Sequence, residues 1–160
     1  MAKDKFPVTP AIRFLRAANI TPLDYCLYKY EEKGGAKQAA EVLKEDLHKV
    51  VKTIVFIDEN KKGLVALMNG DCEISSRNLA RITGRKSLET ATANQANKWT
   101  GYLFGGTSPF GLKTALPIFV EKNILELEYF WINGGKQGFQ IKLVPENLSV
   151  LNPEIVSIAT

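Results

Sequence analysis

Val50-Val-Lys-Thr-Ile-Val-Phe-Ile57 is followed by Asp58-Glu-Asn-Lys-Lys-Gly63 and then by Leu64-Val-Ala-Leu-Met68. The first run is the strongest strand candidate in the chain, because β-branched residues suit a pleated, half-buried surface. Asn60-Lys-Lys-Gly63 supplies a turn, and Gly63 to Met68 returns as a second strand, which predicts a hairpin. Asn69-Gly70-Asp71 closes it.

Outward from the hairpin, Thr9-Pro10 opens a helix, with Thr at the N-cap and Pro at the first helical position. Ile12, Leu15 and Ile20 are placed toward the core, Arg13 and Arg16 outward, and Pro22 ends the element. Asp24 to Tyr30 alternates and reads as a strand that ends on Tyr28 and Tyr30. Ala36 to Leu47 predicts a helix with Ala39, Ala40, Leu43 and Leu47 inward. Ser75 caps a helix reaching Thr83, and Gly84 sits where a C′ glycine belongs. Thr90 to Trp99 predicts a short helix. Leu116 to Val120, Glu128 to Ile132 and Phe139 to Val144 read as strands. The last two are joined by the tight turn Asn133-Gly-Gly-Lys136, and Pro145 opens a short helix to Leu151. Hairpins stand in the second half where crossover helices would be needed, so the doubly wound pattern is excluded. The expectation is one α+β domain over residues 1–160 with a mixed, mostly antiparallel sheet.

The 160 residues include 21 Lys or Arg against 17 Asp or Glu, a net charge of +4, which permits a polyanionic partner without demanding one. No apolar run approaches membrane-spanning length, and no apolar segment follows the charged N-terminus, so neither a membrane span nor a secretory signal is expected. Cys26 and Cys72 are far apart and follow no metal spacing, and His48 is the only histidine. No metal, no cofactor and a cytoplasmic setting are expected.

Chemistry concentrates elsewhere. Gly101-Tyr-Leu-Phe-Gly-Gly-Thr-Ser-Pro-Phe-Gly111 holds four glycines in a short span. Such spacing lets backbone approach a ligand and frees N–H groups to point at it, or else relieves clashes at a tight corner. It is neither a Walker motif nor a dinucleotide fingerprint. Gly134-Gly-Lys-Gln-Gly138 repeats the theme, as a hairpin loop or as a second wall of one pocket with Asn133 and Gln140 as polar liners. Lys52 interrupts an apolar run and shares a face with Ile54 and Phe56. It either snorkels or points into a cleft, where it could hold a phosphate or steady a negative charge.

Taken together, these pieces resemble the YbaK/EbsC family of free-standing aminoacyl-tRNA deacylases, related to the editing domain inserted in bacterial prolyl-tRNA synthetases. The resemblance is carried in order by Thr9-Pro-Ala-Ile12, Tyr28-Lys-Tyr30, Val51-Lys-Thr-Ile-Val55, the hairpin to Gly70-Asp71, Leu79-Ala80, Thr100-Gly-Tyr-Leu103, Gly105-Gly-Thr-Ser-Pro-Phe-Gly111, Leu116-Pro117 and Ile132-Asn-Gly-Gly-Lys136 with Gly138. It implies a sheet partly closed as a barrel with surrounding helices, and removal of a mischarged amino acid, typically cysteine from tRNA(Pro). It places Lys52 on the family's essential lysine and Tyr30 on a pocket tyrosine. Gly105, Gly106, Thr107 and Ser108 fall on the loop lining the aminoacyl site, and Asn133, Gly134 and Gly135 on the opposing loop. In the family picture the substrate's thiol attacks its own ester, and amides around Gly105 and Gly106 stabilise the oxyanion. Mischarged tRNA is the implied partner, with prolyl-tRNA synthetase a candidate second one. Gln140 stands where some members have Asp, Gln137 where many have Arg, and Thr107 where others have Ile, which bears on the amino acid accepted. A non-catalytic tRNA-end-binding module, a deacylase for another small amino acid such as alanine, and a small-molecule hydrolase remain alternatives.

Overall fold

The computed structural model describes residues 5–160; residues 1–4, part of the N-terminal stretch considered above as a leader, lie outside the described residues. The chain forms α1 (Pro10–Ala17), β1 (Asp24–Leu27), α2 (Gly35–Leu43), a 3-10 turn (Leu47–Lys49), β2 (Val50–Asp58), β3 (Gly63–Asn69), α3 (Ser76–Ile82), β4 (Leu88–Thr90), α4 (Ala93–Thr100), β5 (Ile118–Glu121), a 3-10 turn (Lys122–Glu126), β6 (Phe130–Asn133), β7 (Phe139–Leu143), a 3-10 helix (Pro145–Leu151) and β8 (Glu154–Val156).

The hairpin β2–β3 is the spine, in register from Val51 opposite Asn69 to Ile57 opposite Gly63. The sheet runs β1-β7-β6-β2-β3-β5-β8, with β4 added on β2. β2 with β3, β2 with β4, β6 with β7 and β1 with β7 are antiparallel, whereas β2 with β6, β3 with β5 and β5 with β8 are parallel. The ladder begins at β1 and ends at β8, so the sheet is open, and the expected partial closure into a barrel is corrected. Both end strands are short, exposed at Asp24, Leu27, Glu154 and Ile155, and approached through Pro22 and Pro153. Those are the properties of edge strands that accept no further neighbour.

Every residue of β3 is buried, as befits a central strand covered on both faces. One face carries Val51, Val55, Val65, Leu67, Phe139 and Ile141 against α1 and the glycine stretch. The other carries Phe56, Leu64, Ala66 and Met68 against Leu79 and Ala80 of α3. A satellite cluster packs Ala39 and Ala40 of α2 on Val50 and Trp131. Thr9, Ser75 and Thr92 cap α1, α3 and α4 by accepting from Ile12, Asn78 and Gln95 N–H. The Thr9 hydroxyl also donates to Gly134 O, which ties the start of α1 to the second glycine loop.

Several boundaries differ from expectation for local reasons. α2 stops at Leu43 because Lys44 turns left-handed at φ 55°. α4 begins at Ala93, not Thr90, because Leu88–Thr90 pairs with β2 as a strand. The strand expected to reach Tyr30 ends at Leu27. No helix among the described residues is long and apolar enough to cross a membrane.

Asp58 holds the hairpin turn. Its Oδ1 accepts from Asn60 N at 2.8 Å and Lys62 N at 3.0 Å, and its Oδ2 accepts from Arg85 Nε at 3.1 Å. The Lys62 amide foremost, with the Asn60 amide and Arg85, holds the carboxyl below its ordinary value against the opposing cost of burial. A folded value below the unfolded one contributes stability above the unfolded pKa, and that stability is lost as pH falls through the folded pKa. Asp58→Asn is therefore expected to lower the melting temperature near neutrality, with the gap from the parent narrowing as pH falls through and below the ordinary carboxylate range. A gap independent of pH would contradict this.

Candidate functional site

β2 has β3 along one edge. Along the other it pairs with β6 only through Val50 and Val51, and with β4 only through Phe56 to Asp58. Between those two partners the edge is bare among the described residues, apart from Val55 O, which accepts from Ala91 N at 2.9 Å. Val65 N donates to Pro117 O, so Val65 and its register partner Val55 point their backbone groups away from each other. The two-residue period then aims Thr53 N–H and C=O at the bare edge. A cavity of about 660 Å³ opens at this break in the sheet, within the range of small-ligand sites. Its apolar wall includes Val50, Val55, Ala91, Ala93 and Ala96.

The structure brings Lys52, Tyr30, Gly105, Thr107, Asn133 and Gln140 together around this cavity, with Tyr28 and Thr53. Thr53 Oγ1 and Gln140 Oε1 are buried with no hydrogen-bond partner among the described residues. Buried polar atoms are rarely left unpaired, and here both line the same space. The Tyr28 hydroxyl is pushed up from its ordinary value, chiefly by burial. Tyr30 reaches the first glycine loop, where its hydroxyl occupies the place a Cβ on Gly105 would need.

Lys52 lies opposite Met68 and, by alternation, on the face of Ile54 and Phe56. Its Nζ is 3.7 Å from Glu73 Oε1, with the lysine side chain 23% exposed and the glutamate 84%. An ion pair this open to water is weak, so the ammonium is free to turn toward a ligand in the cavity.

Gly106, Ser108, Gly134 and Gly135 are not brought to the cavity wall; they build the wall's support. Gly106 N donates to Leu103 O at 2.8 Å, so in this structure its amide is engaged by neighbouring chain. The amides of Gly105 and Thr107 donate to no protein atom among the described residues. Ser108 is fully buried, and its Oγ accepts from Phe110 N at 3.2 Å. Gly134 bonds Phe139 O through its amide. Gly135 N and Lys136 N both donate to Asn133 Oδ1, at 2.7 and 3.1 Å.

The two glycine loops are stitched into one wall instead of facing each other across the cleft. Asn133 Nδ2 donates to Gly105 O at 3.2 Å, and Gln137 Nε2 donates to Phe104 O at 2.7 Å. A Cβ on Gly106 would meet Gln137 N at 2.6 Å and Lys136 C at 2.9 Å. Gly101 caps α4 at φ 81°. Thus the glycines of the stretch answer to neighbouring chain more than to a ligand. Phe110, fully buried, plants the end of the stretch in the core, and the buried Tyr102 hydroxyl, its pKa pushed up to about 12, donates to Phe110 O. Gly106→Ala is expected to force the loops apart and to destabilise the fold by roughly 1–3 kcal/mol, as overpacking does. Denaturant unfolding of the variant checks this, and an unchanged midpoint would show that the loops yield freely.

Thr53 was missed because a threonine in a strand is ordinary, and the break beside it depends on pairings with β4 and β6. A second grouping was also missed. His48 Nδ1 lies 2.8 Å from Asp71 Oδ1, and Cys72 Sγ donates to the same oxygen at 3.4 Å. Cys72 follows no metal spacing in the sequence, but the turn after β3 carries it to this cluster. Burial foremost, and then Asp71, push the Cys72 thiol up, which is opposite to what a nucleophile needs.

The model of the aminoacyl-tRNA editing domain family matches residues 31–151. EbsC of Enterococcus faecalis, named as a proposed Cys-tRNA(Pro)/Cys-tRNA(Cys) deacylase, is 30% identical over 162 residues, covering 100% of this chain and 99% of EbsC. The proline–tRNA ligase of Maridesulfovibrio salexigens is 32% identical over 102 residues, covering 64% of this chain and 17% of the ligase, so the match falls on a small part of that enzyme. A crystal structure described as a proposed trans-editing enzyme for prolyl tRNA synthetase has a TM-score of 0.83 at 23% identity, covering 96% of this chain and 99% of that one. The structure of the hypothetical protein APE2540 gives a TM-score of 0.85 at 19% identity, covering 94% of this chain and 99% of that one. These two likenesses concern the fold.

Proposed function

The chain belongs to the aminoacyl-tRNA editing domain family, and we propose that it is a trans-editing deacylase that releases a wrongly attached amino acid, cysteine on tRNA(Pro), from the tRNA 3′ end. The observation that carries the proposal is the cavity at the broken edge of β2, where Lys52 and two unpartnered buried oxygens, Thr53 Oγ1 and Gln140 Oε1, meet in one space.

An aminoacyl ester is already activated, so positioning and charge stabilisation suffice. Gln140 Oε1 and Thr53 Oγ1 accept from the substrate's α-ammonium, giving each buried oxygen the donor it lacks. Tyr30 and Gly105 border the ester. The Gly105 N–H, donating to no protein atom among the described residues, meets the carbonyl oxygen as it gains negative charge. Lys52 leaves Glu73 and holds the terminal nucleotide's phosphate or the ester oxygen. The substrate sulfur then bonds to the carbonyl carbon, the carbon–oxygen bond to the ribose breaks, and the thiol proton ends on the ribose hydroxyl. The products are free tRNA and a cyclic thioester, which makes the step a lyase reaction; attack by water would make it a hydrolysis. Ala91, Ala93 and Ala96 give the substrate side chain an apolar wall.

Thr107 and Gln140, which depart from the family pattern, both line the cavity. They favour, as the second reading, a deacylase for another small amino acid such as alanine. A panel of mischarged tRNAs scored for release separates the readings. Release of cysteine ahead of other amino acids supports the first, and release led by alanine supports the second. Binding without release from any of them overturns both and leaves a tRNA-end-binding module.

A further inference from the structure

We infer that the groove between α3 and β4 holds the phosphates of the tRNA's single-stranded 3′ end, just before the nucleotide whose ester occupies the cavity. The groove has a volume of about 500 Å³ and is lined by Arg77, Arg81, Arg85 and Lys86, with Ser76 and Ser87 beside them and no carboxylate among the described residues. Arg77 and Arg81 stand four residues apart on α3, which puts them on one helix face, and both are exposed. Arg77, Arg81 and Lys86 form no ion pair among the described residues. Arg85 is committed to structure, its Nε on Asp58 Oδ2 and its Nη1 on Thr83 O. Glu59, the acid at the rim, is bonded to backbone: its Oε1 accepts from Lys86 N at 3.1 Å and Ser87 N at 3.4 Å. Three unpaired cations therefore gather in a chain whose net charge is only +4.

Position links this groove to the cavity. Leu88, at the start of β4, lines the groove, and Thr90, at its end, lines the cavity. The two are separated by two strand steps of about 3.3 Å each, a span comparable to that between neighbouring phosphates of an extended strand. A strand whose last nucleotide enters the cavity therefore passes the groove with its preceding phosphates. No aromatic side chain among the described residues lines the groove, so the contacts are to phosphate and carry no base preference.

The inference rests on the deacylase reading, but its test does not require turnover. Uncharged tRNA(Pro), and the same tRNA trimmed of its single-stranded 3′ end, are titrated across a range of salt concentration with the parent and with R77A/R81A/K86A. Losing three phosphate contacts should weaken binding of intact tRNA at least tenfold at low salt. It should also flatten the log–log salt slope by about 2, at about 0.7 per contact on a single strand. Trimmed tRNA should bind both proteins equally. If the triple variant fails to fold, R77A/K86A carries the same test with a slope change of about 1.4. Unchanged affinity and slope for intact tRNA would overturn the inference, as would an equal loss on trimmed tRNA. A loss confined to binding of prolyl-tRNA synthetase would overturn it in favour of a protein contact. A parent that binds tRNA through the groove but releases no amino acid refutes the deacylase reading alone.

Discussion

Lys52→Ala is expected to slow release from cysteinyl-tRNA(Pro) by on the order of 10²–10³-fold, the loss typical of one well-placed electrostatic group, with the fold intact. Its contact with Glu73 at 3.7 Å is open to water, with the glutamate 84% exposed, and such a pair adds little stability. Removing the side chain leaves no enclosed hole, because the residue is half-buried and lines the open cavity. What is lost is a mobile positive charge beside the ester. Lys52→Arg should restore little, since a planar fork does not replace a compact ammonium in a tight site. Glu73→Ala should stay within about twofold of the parent, because the glutamate only parks the lysine. Initial rates and melting curves for the three variants check this, and retained activity in folded Lys52→Ala would remove the residue from the chemistry.

The second large effect concerns the nucleophile. If the substrate's thiol attacks, cysteinyl-tRNA(Pro) should react far faster than seryl-tRNA(Pro), because a hydroxyl is much less ionised than a thiol near neutral pH. Alanyl-tRNA(Pro), with no nucleophile of its own, should be slower still. The rival source within the protein is the His48–Asp71–Cys72 cluster, but none of its members lines the cavity. The Cys72 thiol proton is held toward the Asp71 carboxylate, and a thiolate there would stand beside a negative charge. Burial foremost also raises the Cys26 thiol. His48→Ala, Cys26→Ala and Cys72→Ala should therefore each leave turnover within about twofold of the parent. Equal rates on the three esters would point to an enzyme-held water and end the substrate-assisted mechanism. A collapse of activity in Cys72→Ala would move the nucleophile to the protein.

What could be read from the sequence was local. Thr9 with Pro10, Ser75 with Asn78, and the β-branched run from Val50 carry their instructions within a few residues, and the caps and the hairpin form where those instructions place them. β4 and β8 have three residues each, too few for a period to show, and they exist because a distant edge is available to pair with. The open ends of the sheet likewise depend on which strands become neighbours. In the site, Lys52 was visible because a charge interrupts an apolar run. Thr53 was invisible because nothing distinguishes it until β6 and β4 leave its edge bare. The glycines pointed to one wall of the cavity, but their reason is different: Gly106 admits the backbone of residues 136 and 137, and its amide is spent on Leu103. His48 and Asp71 come together across a separation of 23 residues because the ends of β2 and β3 are adjacent, and no short-range spacing announces that.

The most direct test is the initial rate of amino acid release from cysteinyl-tRNA(Pro) and from prolyl-tRNA(Pro) with one preparation of the enzyme. Multiple turnovers on the cysteinyl ester, slowed in Lys52→Ala by on the order of 10²–10³-fold, with the correctly charged prolyl ester left intact, are the expected result. Tight binding of both charged tRNAs with no release above the uncatalysed rate would contradict it.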